Sequence, residues 1–450
     1  MSNPTPTSPP SADLERAPFA AWWTLAVLIA LAIYTIADRP MINLLVEPIR
    51  KDLSLSDFQV GLVQGVSVAL FTLLVGYPIA WLADRFDRRL VLAISITVWF
   101  VGLGCAGLAR SFEELFFASA MVGAGEAALV PIALAMIPEL FNGRRRHLAN
   151  SLLLVGARLG VGLVIAACGW SIAAVDTLRP LLPDTVAGLA TWRLALISIA
   201  LPGVVLVLLI LTLRVPRNSA RHESPAAPAP AARPAWSFLS RHRLAFASFY
   251  GGVALQAFAI SCVMNFAPAT AIRQMGATPV EAGNGMGSAT FVATVVGFLF
   301  AQAGYRWLSP RVGPRLPALA LLGTSICGIL VTTGLLFAST TTQLFVATAL
   351  FLCVIMAGTL LFPTALQDIT PSPMRARLAS ISITLNIVIS GLAPSVVGAV
   401  SDQLKGRPDG LQLAMVSVAI FGLVASMALM WPLVSRYLTL VTAARAEETT

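Results

Sequence analysis

Four ionisable side chains stand inside long apolar runs of the chain: Asp38, Arg39, Glu126 and Arg158. Each costs roughly 2.5–3.5 kcal/mol at the centre of a membrane helix on insertion scales, so such residues normally face a cavity and mark function. Two chemistries suit them. A carboxyl can take up and release a proton as a cation approaches and withdraws, and a guanidinium can meet an anionic group with directed hydrogen bonds. A static ion pair holding helices together is the plainer alternative. No comparable charge interrupts the second half of the chain, so proton or ion chemistry is expected in the first. Hydrolytic or metal chemistry is not indicated. His147, His222 and His242 fall in polar breaks, and no nucleotide-loop or zinc-ligand spacing occurs. Neither a metal nor a cofactor is expected, and the chain does not read as an enzyme.

These residues are carried by a chain of 450 residues, 57% hydrophobic and only 11% charged, with mean hydropathy +0.82. That balance excludes a soluble enzyme, a disordered protein and a disulfide scaffold. The five cysteines lie in apolar runs without paired spacing and read as small buried residues. Apolar stretches long enough to cross about 30 Å of hydrocarbon run Trp22–Leu45, Phe58–Trp81, Leu90–Ala109, Phe112–Ile137, Leu148–Ala174 and Trp192–Leu213. Six more follow: Leu244–Pro268, Ala282–Tyr305, Leu316–Ala338, Leu344–Leu366, Leu378–Val400 and Leu411–Leu433. The expected fold is an all-α membrane protein of 12 transmembrane helices in two six-helix bundles. Residues 1–18 read as a disordered cytoplasmic tail, 19–213 as the first bundle, 214–243 as a cytoplasmic linker, 244–434 as the second bundle and 435–450 as a cytoplasmic tail.

The breaks on the side of the termini hold 20 Lys and Arg and the opposite breaks hold 8, so the positive-inside rule places both termini in the cytoplasm. The net charge of +9 is thereby explained by topology and not by nucleic acid. Arg85 and Arg311, 226 residues apart, and Arg145 and Arg375, 230 apart, occupy matching loops of two repeated halves. Two such halves on a linker form the layout of a secondary transporter with its site near the midplane. No Asn-x-Ser/Thr acceptor is present, in keeping with a bacterial inner membrane.

The break after the second span reads Gly76-Tyr-Pro-Ile-Ala-Trp-Leu-Ala-Asp84-Arg85-Phe-Asp87-Arg88-Arg89. A basic turn obeying the orientation rule would account for the arginines alone. Asp84 adds a carboxylate able to cap a helix or to pair with Arg in one bundle geometry and not in another. The string resembles the loop motif of the major facilitator superfamily, which implies a conformational latch formed by Gly76, Asp84, Arg85, Arg88 and Arg89. Further strings are similar to its spinster-like branch: Asp38-Arg39, Leu55-Ser-Asp57 with Gly61-Leu, Gly123-Ala-Gly125-Glu126-Ala, Trp192-Arg193, Leu201-Pro202-Gly203, Gln367-Asp-Ile-Thr-Pro371, Arg375-Ala-Arg-Leu-Ala379, Gly391-Leu-Ala-Pro394 and Ser401-Asp402. The resemblance implies proton coupling at Asp38 and Glu126 and a substrate path past Arg39. Where the branch usually carries Arg, seven residues before the span-4 Glu, this chain has Ser119, and it has Arg158 where an uncharged residue is usual. Its second-half latch counterpart, Arg306-Trp-Leu-Ser-Pro-Arg311, has no acid.

At 1.5 Å rise per residue, Glu126 and Arg158 stand roughly 18 and 15 Å above the same membrane face, so an ion pair between them is expected. Pro40 removes a backbone donor beside Asp38 and is expected to bend span 1. Ser382, Asn386 and Ser390, spaced four apart on span 11, form a polar stripe suited to interhelical hydrogen bonds or, for Asn386, to substrate; Gln256 and Asn265 on span 7 are similar. Gly156-x-x-x-Gly160-x-Gly162 and Gly283-x-Gly285-x-Gly287 suit close helix packing. The expected substrate is an amphipathic anion such as a lysophospholipid or sphingoid-type lipid. Arg39 and Arg158 would meet its head, with Tyr34 and Asn386 as further contacts. The alternatives are a small aromatic or sugar acid moved with protons and, remotely, a non-transporting receptor. Protons and membrane lipids are the expected partners of a monomer.

Overall fold

A computed structural model describes residues 19–141, 143–213, 238–371 and 374–449; the side chains of some helical residues, Asp84 and Arg158 among them, lie outside the described set. Among the described residues all regular secondary structure is helical, without a strand. Twelve spans follow one another, as the hydropathy predicts. Spans 3, 5, 7, 8, 9, 11 and 12 are single helices: Arg88–Leu108, Gly143–Leu178, Arg243–Met275, Pro279–Val312, Leu316–Gly334, Arg375–Gln403 and Gly410–Thr449. The other five are broken. Span 1 is Phe19–Tyr34 and Asp38–Asp52, span 4 is Phe112–Glu126 and Leu129–Leu140, span 6 is Thr191–Ala200 and Pro202–Leu211, and span 10 is Thr341–Thr359 and Phe362–Ile369. Span 2 runs from Asp57 to Arg85 through a π-helical turn at Leu62–Ser67.

Proline explains where the breaks fall. Pro40, Pro131, Pro202 and Pro363 each lie within the first turns of the restarted helix, where an amide N–H has no helical acceptor. Pro40 therefore starts the second helix of span 1 instead of bending a continuous one. The first helix ends at Tyr34, and the Ala37 N–H closes a tight turn on the Tyr34 carbonyl at 3.0 Å.

Two expectations about the chain's margins shift. Residues 238–241 of the expected linker are helical, and Phe238 is buried with Phe246 and Tyr250 in the second half. Helix Gly410–Thr449 runs on through the expected tail, with Tyr437, Leu440, Val441 and Ala444 buried. Residues 1–18 and 214–237 lie outside the described residues. All five cysteines are free; Cys168 and Cys262 are buried as expected, whereas Cys105 and Cys327 are exposed.

The apolar core is divided unevenly along the membrane normal. Near the end carrying the termini there are two separate cores, one built from Leu25, Leu92, Ile132 and Ile210, the other from Phe249, Leu321, Ile369 and Leu433. Toward the opposite, distal end a single core joins residues of both halves, including Leu45, Val63 and Ile165 with Cys262, Met286 and Val397. Small residues allow this closure. A Cβ on Gly162 would stand 2.7 Å from the Gly287 carbonyl, and one on Gly61 would stand 2.3 Å from that of Pro394. Spans 5 and 8, and 2 and 11, therefore cross backbone to backbone, which is the packing expected of the span-5 and span-8 glycines.

Candidate functional site

Between the halves, above the shared core, lies a cavity of about 850 Å³. Span 1 contributes Ile36, Arg39, Pro40 and Asn43, and span 4 contributes Glu126, Ala127, Val130 and Pro131. Both segments come from helix breaks, so the chain turns backbone and polar side chains toward the cavity where it interrupts its own hydrogen-bond ladder. The π-helical turn of span 2 adds Gln64 and Gly65. Val161 and Ile165 come from span 5, Ile260, Ser261, Met264 and Asn265 from span 7, and Ile383, Ile387 and Ser390 from span 11. Among the described residues the walls are thus mainly aliphatic, and the charged ones, Arg39 and Glu126, both belong to the first half.

That charge is a pair. Arg39 donates from Nη2 to Glu126 Oε2 at 3.0 Å, and the two side chains are 55% and 30% exposed to the cavity. The expected partner of Glu126 was Arg158; the guanidinium described beside it belongs to Arg39. Rise-per-residue arithmetic gives a side chain's depth along its helix and not the face it occupies, so it could not decide between the two guanidinium groups. Arg158 lies on span 5, one turn from the cavity-lining Val161, and its side chain is outside the described residues.

Asp38 points away from its neighbour, as a helical step of about 100° requires. It is 1% exposed, and among the described residues neither carboxyl oxygen has a hydrogen-bond partner. Asn43 and Gln64 sit nearby. Gln64 Nε2 donates to Asn43 Oδ1 at 2.8 Å, and Asn43 Nδ2 reaches across to the Met264 carbonyl at 3.3 Å.

Two expected substrate contacts are engaged elsewhere. Tyr34 donates its hydroxyl to the Ile199 carbonyl at 2.5 Å and lies edge-on to Trp99, tying span 1 to span 6 and span 3. Asn386 donates to the Ser382 carbonyl of its own helix at 2.8 Å, and Ser390 donates to the Asn386 carbonyl at 2.6 Å. The span-11 stripe therefore bonds along its helix and not between helices. Gln256 does bond between helices, to the Leu321 carbonyl and Ser325 of span 9. Asn265 donates to the Ser261 carbonyl and faces the cavity.

The loop after span 2 is knitted into the first half. Asp87 caps the span-3 helix by accepting from the Arg89 N–H, and Arg89 Nη1 donates to the Leu213 carbonyl at 2.8 Å. Arg88 is buried and donates to the Ala135 carbonyl at 3.2 Å, while Arg85 lies 4.1 Å over the Trp81 ring. A Cβ on Gly76 would touch nothing. The Asp84 side chain lies outside the described residues. Arg311 lies over Trp307, also at 4.1 Å, so the repeat predicted from Arg85 and Arg311 extends to a stacked Trp-Arg pair in each half.

A second polar cluster, to which the sequence reading gave no role, closes the distal end across the halves. Arg273 of span 7 forks onto Asp57 of span 2 at 2.8 and 2.7 Å and donates from Nε to Glu47 of span 1 at 2.6 Å. Ser401 donates to Asp57 at 2.7 Å. Asp402 accepts the N–H groups of Asp57 and Phe58 at 3.1 and 2.9 Å, capping span 2 from the other half, and pairs with Lys405. The signal was present as Leu55-Ser-Asp57 and Ser401-Asp402, but only as family strings.

The profile of the Major Facilitator Superfamily matches residues 23–394. The chain is 27% identical over 434 residues, 92% of each protein, to an MFS-type efflux pump of Mycolicibacterium smegmatis. It is 31% identical over 220 residues to spinster homolog 3 of Danio rerio, a match covering 48% of this chain and 40% of that protein. In structure it is similar to a bacterial homologue of the human lysosomal transporter spinster, solved inward-facing and unoccupied. The TM-score is 0.75 at 23% identity, over 96% of this chain and 98% of that one.

Proposed function

This chain belongs to the Major Facilitator Superfamily and is a multi-pass membrane transporter, and from that premise we propose that it carries an amphipathic anion by alternating access coupled to protons. The observation that carries the reading is the cavity of about 850 Å³, aliphatic on most sides, with one guanidinium and one carboxylate paired at its wall. An acyl-type tail loses unfavourable contact with water against Ile260, Met264, Ile383 and Ile387 at about 25 cal/mol per Å². An anionic head, such as a phosphate, takes the planar donors of Arg39.

Coupling follows from charge conservation. Arg39 and Glu126 neutralise each other, so an anion binding Arg39 displaces Glu126 and leaves a carboxylate without its cation. Protonation of Glu126 restores neutrality, which makes anion and proton occupancy interdependent. Asp38, next to Arg39 and without a bonded cation, is the second proton site, and Arg158 is a second contact for the head. The residues after span 2 serve as the latch on the side of the termini, opposite the Arg273 cluster. With both termini cytoplasmic in an inner membrane, the closed distal end faces outward and the cavity serves the cytoplasmic side.

The test is thermal unfolding of the purified protein against two panels, lysophospholipids with sphingoid phosphates, and small aromatic and sugar acids. Ligand binding to the native state raises the midpoint with concentration. A concentration-dependent rise with the lipid panel, lost in Arg39→Ala, is expected. A rise with the small acids alone would replace the substrate assignment while leaving a proton-coupled carrier.

A further inference from the structure

The two halves line the main cavity with different polar chemistry. The first half supplies Arg39 and Glu126; the second supplies Ser261 and Asn265 of span 7 and Ser390 of span 11, all uncharged and all only partly buried. Their hydrogen bonds are spent within their own helices. Asn265 Nδ2 donates to the Ser261 carbonyl at 2.7 Å and to Ser261 Oγ at 3.1 Å, and Ser390 Oγ donates to the Asn386 carbonyl at 2.6 Å. Since a backbone carbonyl can only accept, the contact with Ser261 fixes which way the Asn265 carboxamide is turned. Asn265 Oδ1 is left without a partner among the described residues, on a side chain that is part-exposed in the cavity wall. The second-half wall thus offers two oxygens that accept, Asn265 Oδ1 and Ser390 Oγ, against one uncommitted hydroxyl hydrogen, that of Ser261.

These oxygens lie deep in the cavity. Along spans 7 and 11, Ile260, Ile383 and Ile387 line it nearer the termini, and Asn265 and Ser390 follow toward the shared core. Gly391, next to Ser390, meets Gly65 of span 2 backbone to backbone. Asn43, one turn beyond Arg39 on span 1, donates to the Met264 carbonyl, which sets Asn265 about one helical turn, roughly 5 Å, deeper than Arg39. A ligand group that fills this end and cannot donate strips Asn265 Oδ1 of water and leaves it unpaired. We propose that Asn265, with Ser390 beside it in the wall, selects the substrate: the carried anion bears, within a few bonds of its charged head, a hydroxyl or amino group that donates to Asn265 Oδ1. The inference rests on the anion-carrier reading and narrows it. Hydroxylated anions such as lysophosphatidates, sphingoid phosphates and sugar acids meet the requirement; alkyl phosphates, fatty acids and unhydroxylated aromatic acids do not. A site built to pair with a hydroxyl rejects the analogue lacking it more sharply than an aliphatic wall rejects a missing methylene.

The test compares anions that differ in one hydroxyl. Oleoyl lysophosphatidate is set against 3-oleoyloxypropyl phosphate, and mandelate against phenylacetate. For each, the concentration that half-saturates the rise in thermal midpoint of the full-length protein is measured. The hydroxyl-free members are the more apolar, so an aliphatic wall alone would favour them. In the parent the hydroxylated member of at least one set is expected to act at about tenfold lower concentration than its analogue. Asn265→Ala is expected to bring the two together by weakening the hydroxylated member, whereas Arg39→Ala weakens both alike. A role of Asn265 confined to its own helix would shift the midpoint without moving this ratio. Equal action of both members in the parent, or a preference that survives both Asn265→Ala and Ser390→Ala, would overturn the inference. Equal binding that is lost in Arg39→Ala removes it alone and leaves the anion carrier standing. Binding by no member of either set removes the anion reading and this inference with it, while a preference confined to the small acids keeps it and removes only the lipid tail.

Discussion

Glu126 and Arg39 hold each other's charge in a site that opens to the cavity, so each is free to exchange its partner without being stranded in hydrocarbon. In Glu126→Gln the side chain keeps its shape and its capacity to accept from Arg39 but loses the proton. Uptake in proteoliposomes is therefore expected to lose most of its pH dependence while ligand-induced stabilisation persists; a pH profile identical to that of the parent would remove Glu126 from the coupling. Arg39→Lys is expected to bind more weakly than the parent, since an ammonium offers no planar fork to an anionic head. Single residues were the most legible level of the sequence. Asp38, Arg39 and Glu126 are exposed as anomalies by the apolar runs around them. Which charge meets which was not legible, because the pairing of Glu126 with Arg39 depends on how spans 1 and 4 are turned toward each other in the bundle, which spacing along either span does not fix.

At the scale of elements, the helix breaks of spans 1 and 4 lie at the site. Prolines at 40 and 131 permit the helix restarts that turn Arg39 and Glu126 into the cavity, and offsets of 228 and 232 relate them to Pro268 and Pro363 in the second half. The second half kept the prolines and not the charges, and span 7 runs through Pro268 without a break. Twelve spans, the repeat and the glycine crossings could be read from hydropathy and spacing. The direction of the span-11 amides could not, since Asn386 bonding along its helix and Asn386 bonding across it share one spacing. The glycine crossing yields a packing prediction. A side chain at Gly162 meets the Gly287 backbone carbonyl, which has no rotamer to yield. Gly162→Val is expected to cost about 1–3 kcal/mol and to lower the thermal midpoint, whereas Gly76→Ala, with open space around it, is expected to leave the midpoint unchanged.

For the whole molecule, the division of the core decides how the halves can move. Two separate cores near the termini let each bundle persist as a unit, while the shared distal core and its charged cluster must come apart for the cavity to open the other way. Arg50 of span 1 also pairs with Glu47 and Asp57, at 3.5 and 3.7 Å, so with Arg273 the two cations balance two carboxylates whose side chains are only 5% and 4% exposed. Such a cluster contributes little net stability while intact and is costly when one partner is lost, by roughly 3–5 kcal/mol. This part of the mechanism was hidden in the sequence because its members lie on spans 1, 2, 7 and 11, and only the folded chain brings residue 57 to 273 and 401. Arg273→Ala strands Glu47 and Asp57 at the closed end and favours the geometry in which water reaches them. Asn265→Cys, placed in the cavity of a chain with its native cysteines replaced, is then expected to react severalfold faster with a membrane-impermeant reagent added on the distal side than it does in the parent. Unchanged labelling in Arg273→Ala would mean that the Gly162–Gly287 and Gly61–Pro394 crossings, and not the charges, hold that end shut.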